Sequence, residues 1–206
     1  MCMTAPYLTK SDFKVGLDCL HKLKYKKAKY PSKLNENEYL QFFADCGFMV
    51  EAMAHALYPS GRTPSPHPGE TLAEATARQF DSSADSVWFE PTFIHDGYSA
   101  RIDMMIREGS ILRLIEIKAK SFDPEEDNSM WKARDEGIRS EWEPYLFDVA
   151  FQTMVVRAAN PNFEVRPELC LVDKSKTCSE ANLFEKFRFL ERDDADRSAP
   201  RAELSE

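Results

Sequence analysis

Residues 101–120, RIDMMIREGSILRLIEIKAK, place acids and bases at spacings that could do chemistry. Gly109-Ser110 suits a two-residue turn, with glycine first as a type II′ turn requires. Partner numbers across such a turn sum to 219, which sets Asp103 opposite Glu116 and Arg101 opposite Lys118. Alternation then puts Glu116, Lys118 and Lys120 on one face of their strand. Ile115 and Ile117 point to the other face, beside Ile102, Met104 and Ile106, as a core face. Like charges directly across a sheet repel, so the two carboxylates need a cation. Arg101, Lys118 or Lys120 could supply it, as on any solvated, charge-paired β-surface. A bound divalent ion could too, and hard oxygen donors suit Mg²⁺ or Mn²⁺. Such an ion activates water and stabilises charge on a phosphate. A nearby lysine positions that water or stabilises the anionic transition state.

The rest of the chain must position this hairpin. Thr9 or Ser11 caps a first helix, carried by Phe13, Leu17 and Leu20 and stopping near Pro31. Asn37 caps a second and mostly buried helix, built from Tyr39, Leu40, Phe42, Phe43, Phe48, Met49, Val50, Met53 and Leu57. Residues 59–70, rich in Pro, Ser and Gly, form a surface loop. Thr71 and Glu74 make a capping box for a helix through about Phe80. From Ser86 the period changes to two. Residues 87–94, 98–108 and 111–120 read as three consecutive strands. Pro144 opens a helix to Ala159. VRPELCLVD is a short strand, placed toward an edge by Pro167. Residues 180–190 form a last helix, and the charged residues 191–206 a flexible tail. The order predicts one α/β domain over residues 1–190, a mixed β-sheet flanked by helices.

The whole composition limits the function. The 206 residues are 43% apolar and 12% aromatic, enough for a full core. No apolar run reaches a membrane-spanning length, and MCMTAPYLTKSDF lacks a secretory pattern. A cytoplasmic location is expected. A net charge of −8 argues against a protein that coats nucleic acid. Yet residues 10–33 hold eight lysines and two aspartates, a local +6. Within them Lys24, Lys26, Lys27 and Lys29 alternate with Tyr25 and Tyr30. Lysines meet phosphates and tyrosines stack on bases; the same run also serves as a plain solvated helix face. Five cysteines without a CxxC pair read as reduced thiols. Trp131 and Trp142 either cover the site or pin a loop to the core, and the second is expected.

The D-x12-E-I-K spacing across a hairpin resembles the core of the PD-(D/E)XK nuclease superfamily. LTKSDFKVGLDCLHKLKY resembles the opening helix of its RecB-like exonuclease branch, which includes the CRISPR-adaptation nucleases. GFMVEAMAHALYP looks like that branch's first acidic helix, and DVAFQTMVV like its glutamine-bearing helix. The matches fall in order over roughly residues 8–173. The resemblance implies a restriction-endonuclease-like core and a Mg²⁺- or Mn²⁺-dependent deoxyribonuclease, acting from ends or on single strands. It implies Asp103, Glu116 and the Ile117 carbonyl as metal ligands and Lys118 as the catalytic lysine. Gln152, with Asp148 one turn before it, would orient a phosphate or the attacking water. DNA is the implied substrate, with protein partners in repair, recombination or phage defence.

The chain departs from the family pattern in three places. Glu51 and Ala52 stand where relatives carry histidine and glutamate, so Glu51 is the expected ligand from that helix, and His55 an exposed histidine. Val156 stands where a tyrosine often follows the glutamine. Iron–sulfur relatives need an early cysteine and three late ones. Cys19, Cys170 and Cys178 fall one thiolate short, so no cluster is expected. A non-catalytic nucleic-acid-binding module on the same fold is the competing expectation, and a carboxylate-rich domain for a non-nucleic-acid partner is the third.

Overall fold

The computed structural model describes residues 7–31, 37–81, 85–126, 130–132, 137–190 and 202–204. A two-residue strand β1 (Leu8–Thr9) leads into helix α1 (Lys10–Asp18). Thr9 caps α1 through a complete capping box with Asp12. The first helix is not continuous as expected. Cys19 is extended (φ −165°, ψ 122°), and α2 (Leu20–Lys27) starts after it. The break lets α2 fold back, so that Lys26 and Lys27 reach the buried Asp12 (2.9 and 2.5 Å). Asn37 caps α3 (Glu38–Ala56) as predicted, and the Thr71–Glu74 box caps α4 (Leu72–Asp81).

The strands are cut where the sequence reads as continuous. β2 (Ser86–Phe89) and β3 (Thr92–His95) are separated by Glu90-Pro91. β4 (Tyr98–Arg101) and β5 (Met104–Glu108) are separated by Ile102-Asp103. The two breaks lie side by side, joined by Glu90 N–H to the Asp103 carbonyl (3.3 Å) and Ile102 N–H to the Pro91 carbonyl (3.0 Å). One long ribbon therefore bends and feeds two sheets. The small sheet has the order β1-β4-β3, and β4 pairs with β3 rather than with the next hairpin strand. The main sheet has the order β2-β5-β6-β7, with β6 spanning Ile111–Phe122 and β7 spanning Glu164–Asp173. β7 runs parallel to β6 at the edge, longer than expected, with Pro167 within it. Helix α5 (Glu143–Ala159) makes the crossover between them.

The turn register is as read from the sequence. Glu108 faces Ile111, Met104 faces Ile115, and Gly109 has the positive φ (+58°) of the first type II′ position. Both faces of the main sheet are covered. Ile115 and Ile117 join Met104, Ile106 and Ala54 against α3. Leu112 and Leu114 join Phe151, Val155 and Val156 of α5 in the larger core. Ile102 belongs to this second core, not to the Ile115 face, because the break turns it over. The Glu116 face is thus not a solvated surface.

Helix α3 is less buried than expected. Tyr39, Phe42, Phe43 and Leu57 are exposed, because the packing on the sheet runs through Val50 and Ala54. Residues 180–190 are not a helix. A 3₁₀ turn (Leu183–Lys186) leads to strand β8 (Phe187–Phe189). β8 pairs with β9 (Ala202–Leu204), which lies against α3, so this part of the expected tail is ordered by pairing. Residues 191–201 and 205–206 of that tail lie outside the described residues. No helix among the described residues is long and apolar enough to cross a membrane. The chain is α/β, with mixed sheets flanked by helices.

Candidate active site

The ribbon bend, the start of α1, the middle of β6 and the first half of α5 meet at one cluster of charges. Asp103 lies just before β5, where the ladder with β6 has ended at Met104–Ile115. It therefore does not face Glu116 as a paired residue. Its Oδ2 instead accepts the Ile117 N–H (2.9 Å), which holds it beside Glu116. Arg101 is not opposite Lys118. It pairs with Thr92 in the small sheet and forms an ion pair with Glu90 (2.5 Å).

Glu116 is fully buried. Lys10 Nζ donates to both of its oxygens (2.8 and 3.0 Å), Lys118 Nζ donates to Oε1, and Gln152 Nε2 donates to Oε2 (2.5 Å). Lys118 also pairs with the buried Asp148 (3.3 Å), and Lys14 reaches the same carboxylate (3.1 Å). Between Ile117 and Ser121 the register with β7 shifts, a bulge in β6 that carries Lys118. Bulges re-aim side chains beside functional sites. Lys120, on the same face, lies over Trp142 (4.6 Å). Trp142 is buried and packs on Phe122 and Tyr145, so it pins its loop to the core as expected, whereas Trp131 is exposed.

A second acidic pair sits on the α3 side. Glu51 is bonded to Glu90, and burial, with the charge of Glu90, pushes its carboxyl up to about 8. Glu90 also rises through burial, opposed by Arg101. Burial and the charge of Glu116 push Asp103 up to about 7. Glu116 moves the other way: burial opposes ionisation, yet Lys10 and Lys118 hold it below the usual range. Burial would lower Lys118, but Glu116 outweighs it and raises the ammonium. His55 is not the exposed histidine expected. It stacks on Phe89 (3.9 Å), and burial lowers its pKa.

The structure brings Asp103, Glu116, Ile117, Lys118 and Gln152 together, with Asp148 beside them. It bonds Glu51 to Glu90, near enough to Asp103 for the Glu51 charge to help raise that carboxyl. Gln152 orients Glu116 through its amide, and its own Oε1 is buried without a partner among the described residues, as is Oδ1 of Asp148. Of the expected nucleic-acid residues, Lys26 and Lys27 are exposed but tied to the buried Asp12 by ion pairs. Lys24, Tyr25 and Lys29 are exposed, with Tyr25 against Tyr30 (5.1 Å).

Three site residues went unread. Lys10 and Lys14 are four apart on α1, and that spacing puts both on one face toward the site. Glu90 precedes a proline with φ +57°, a strained conformation. The Glu-Pro step inside an alternating run was the available signal for the bend.

As a donor set, Asp103 and Glu116 offer hard oxygens to a divalent ion. Mg²⁺ needs only one or two carboxylates with waters. No group of three metal-ligating side chains converges among the described residues. The place between Asp103 and Glu116 instead holds the Lys10 ammonium, 3.8 Å from Asp103 Oδ1. No family model matches the chain, and no curated protein or solved structure matches it either.

Proposed function

We propose that this protein is a metal-dependent nuclease that hydrolyses DNA phosphodiester bonds, on a restriction-endonuclease-like core. The observation that carries the reading is the convergence of Asp103, Glu116 and Lys118 at the ribbon bend, with a carboxylate that is fully buried yet held ionised. Burying an ionised carboxylate is costly, and the chain offsets that cost with Lys10, Lys118 and Gln152 at the one point where Asp103 also converges. Exonucleolytic or single-strand action, and partners in repair, recombination or phage defence, belong to the same proposal.

Asp103 and Glu116 would hold Mg²⁺ or Mn²⁺, with the Ile117 carbonyl as a further oxygen. When bound, the ion supplies Lewis-acid activation of water and of the phosphate oxygen. Lys118, raised by its acidic neighbours, remains an ammonium and stabilises negative charge on the phosphorane-like transition state. Gln152 keeps Glu116 in one rotamer. Asp148 holds Lys118 toward that carboxylate. Glu51, bonded to Glu90 and raised to about 8 by burial, would stand protonated at neutral pH in the metal-free protein. Water would add to phosphorus and give up a proton to solvent as one P–O ester bond breaks, and the leaving oxygen would take a proton from solvent.

Labelled single- and double-stranded DNA with Mg²⁺, Mn²⁺ or EDTA tests the reading. Cleavage that needs the metal and is lost in Asp103→Asn supports it. The second reading, a binding module without turnover, is favoured by one observation: Lys10 already neutralises the acidic pair. DNA binding without cleavage at any metal concentration would select it.

A further inference from the structure

The charges of the site balance without a metal. Lys10, Lys14 and Lys118 face Glu116, Asp148 and Asp103, and Arg101 faces Glu90. Every accessible acceptor direction of Glu116 is used: both oxygens by Lys10, one also by Lys118 and the other by Gln152. A divalent ion on Glu116 must therefore remove a donor. Gln152 is fully buried in α5. Lys118 has a second anchor at 3.3 Å, the buried Asp148. Among the described residues, Lys10 has only the longer contact to Asp103 as its second anchor (3.8 Å). It also sits in the first turn of α1, where the helix dipole disfavours a cation. Its position is thus set by the carboxylates, not by the helix.

We propose that the Lys10 ammonium is the resident cation of the Asp103–Glu116 pair, and that Mg²⁺ or Mn²⁺ binds there by displacing it into solvent. This rests on the nuclease reading of the same site. It makes Lys10 a residue that holds the metal-free site together and competes with the metal for it. The ammonium and a divalent ion cannot share two carboxylates only a few ångströms apart without strong repulsion. Affinity for the metal therefore contains the cost of expelling Lys10.

The test uses the full chain, freed of metal by chelation and dialysed. Amine acetylation is followed at Lys10 by mass spectrometry with and without saturating MnCl₂, with the exposed Lys24 as control. Displacement predicts that Mn²⁺ raises labelling of Lys10 several-fold and leaves Lys24 unchanged. Labelling of Lys10 that stays constant or falls overturns the proposal. In parallel, MnCl₂ is titrated calorimetrically into wild type and Lys10→Met at one pH. The variant should bind Mn²⁺ at least tenfold more tightly. Equal or weaker binding by a variant with an unchanged circular dichroism spectrum overturns the proposal and leaves the metal site standing. Absence of Mn²⁺ binding in both proteins would remove the metal-site reading and the proposal together. If Lys10→Met fails to fold, the labelling of wild type alone decides.

Discussion

Asp103 and Glu116 are neighbours with opposite electrostatics, and substitution should separate them. Asp103 is raised by burial and by Glu116, so its charge is a burden in the metal-free protein. Asp103→Asn keeps an oxygen for the Ile117 N–H. At pH 8.5 in EDTA it should leave stability unchanged or raise it by about 1 kcal/mol, the scale of one pKa unit. Glu116→Gln leaves Lys10 and Lys118 facing a neutral amide, and should cost about 3 kcal/mol, as broken buried pairs do. Urea midpoints measure both, and equal signs would refute the assignment. Either substitution should abolish the rise in melting temperature with Mn²⁺. The pH dependence follows from the same shifts. Folded Asp103 and Glu51 hold protons up to about 7 and about 8, against ordinary values of 3.8 and 4.5. Between those values the folded chain binds more protons than the unfolded one, so stability falls as pH rises. His55, depressed by burial, acts in the opposite sense, but its effect fades within about a unit above its ordinary value of 6.5. Glu116 contributes above 4.5 and loses that contribution only in acid. Metal-free protein should therefore be more stable at pH 6.5 than at pH 8.5, and Asp103→Asn should flatten the difference. A midpoint that rises between these two pH values contradicts the picture.

The elements carry this site through two breaks and one fold-back. The hairpin register as far as Met104–Ile115, the type II′ turn and the caps of α3 and α4 were legible, because each rests on local residue types: Gly109 first in its turn, Asn37 before α3, Thr71 with Glu74. The ribbon bend had one local sign, the Glu90-Pro91 step, but the bond that goes with the φ of +57° at Glu90 lies across the ribbon, at the Asp103 carbonyl, where no local pattern announces it. The pairing of Lys26 and Lys27 with Asp12 was not legible either, since it depends on the break at Cys19 and on a buried acid fifteen or so residues away. That pairing divides the lysine run into two populations. Lys26→Gln with Lys27→Gln strands Asp12 in the interior and should lower the melting temperature. Lys24 and Lys29 carry no ion pair among the described residues. Lys24→Gln with Lys29→Gln should leave the melting temperature unchanged. On single-stranded DNA it should reduce the slope of log affinity against log salt by about 1.4, at roughly 0.7 per phosphate contact. An unchanged slope would assign these lysines to solvation alone. Gly61 marks another non-local constraint. A methyl there would lie 2.2 Å from the Phe89 ring, which carries His55. Gly61→Ala should therefore destabilise through the α3 side of the site.

At the scale of the molecule, an acidic protein gathers its lysines on α1 and α2 and spends most of the described ones on its own carboxylates. The sum of charge was readable; which lysines remain for a partner was not, since that needs the fold. The same holds for the C-terminal residues. Ala202 is buried and β9 lies against α3, the helix that presents Glu51 to Glu90. A charged stretch with few apolar residues gives no local sign of such docking, because pairing with β8 and cover from α3 supply its order. Deleting residues 201–206 should expose part of α3 and remove about 1–2 kcal/mol of burial. At roughly 2–4 °C per kcal/mol for a chain of this size, the melting temperature should fall by several degrees. Asp103, Glu116 and Lys118 stand on the ribbon and β6, which do not depend on β9 for position. The increment in melting temperature produced by Mn²⁺ should therefore survive the deletion. If instead the increment disappears while the circular dichroism spectrum is retained, α3 contributes to metal binding. Glu51 would then be a ligand in its own right and not the protonated partner of Glu90. Glu51→Gln in the intact chain distinguishes these directly: a retained increment keeps the site to Asp103 and Glu116, and a lost one extends it to α3.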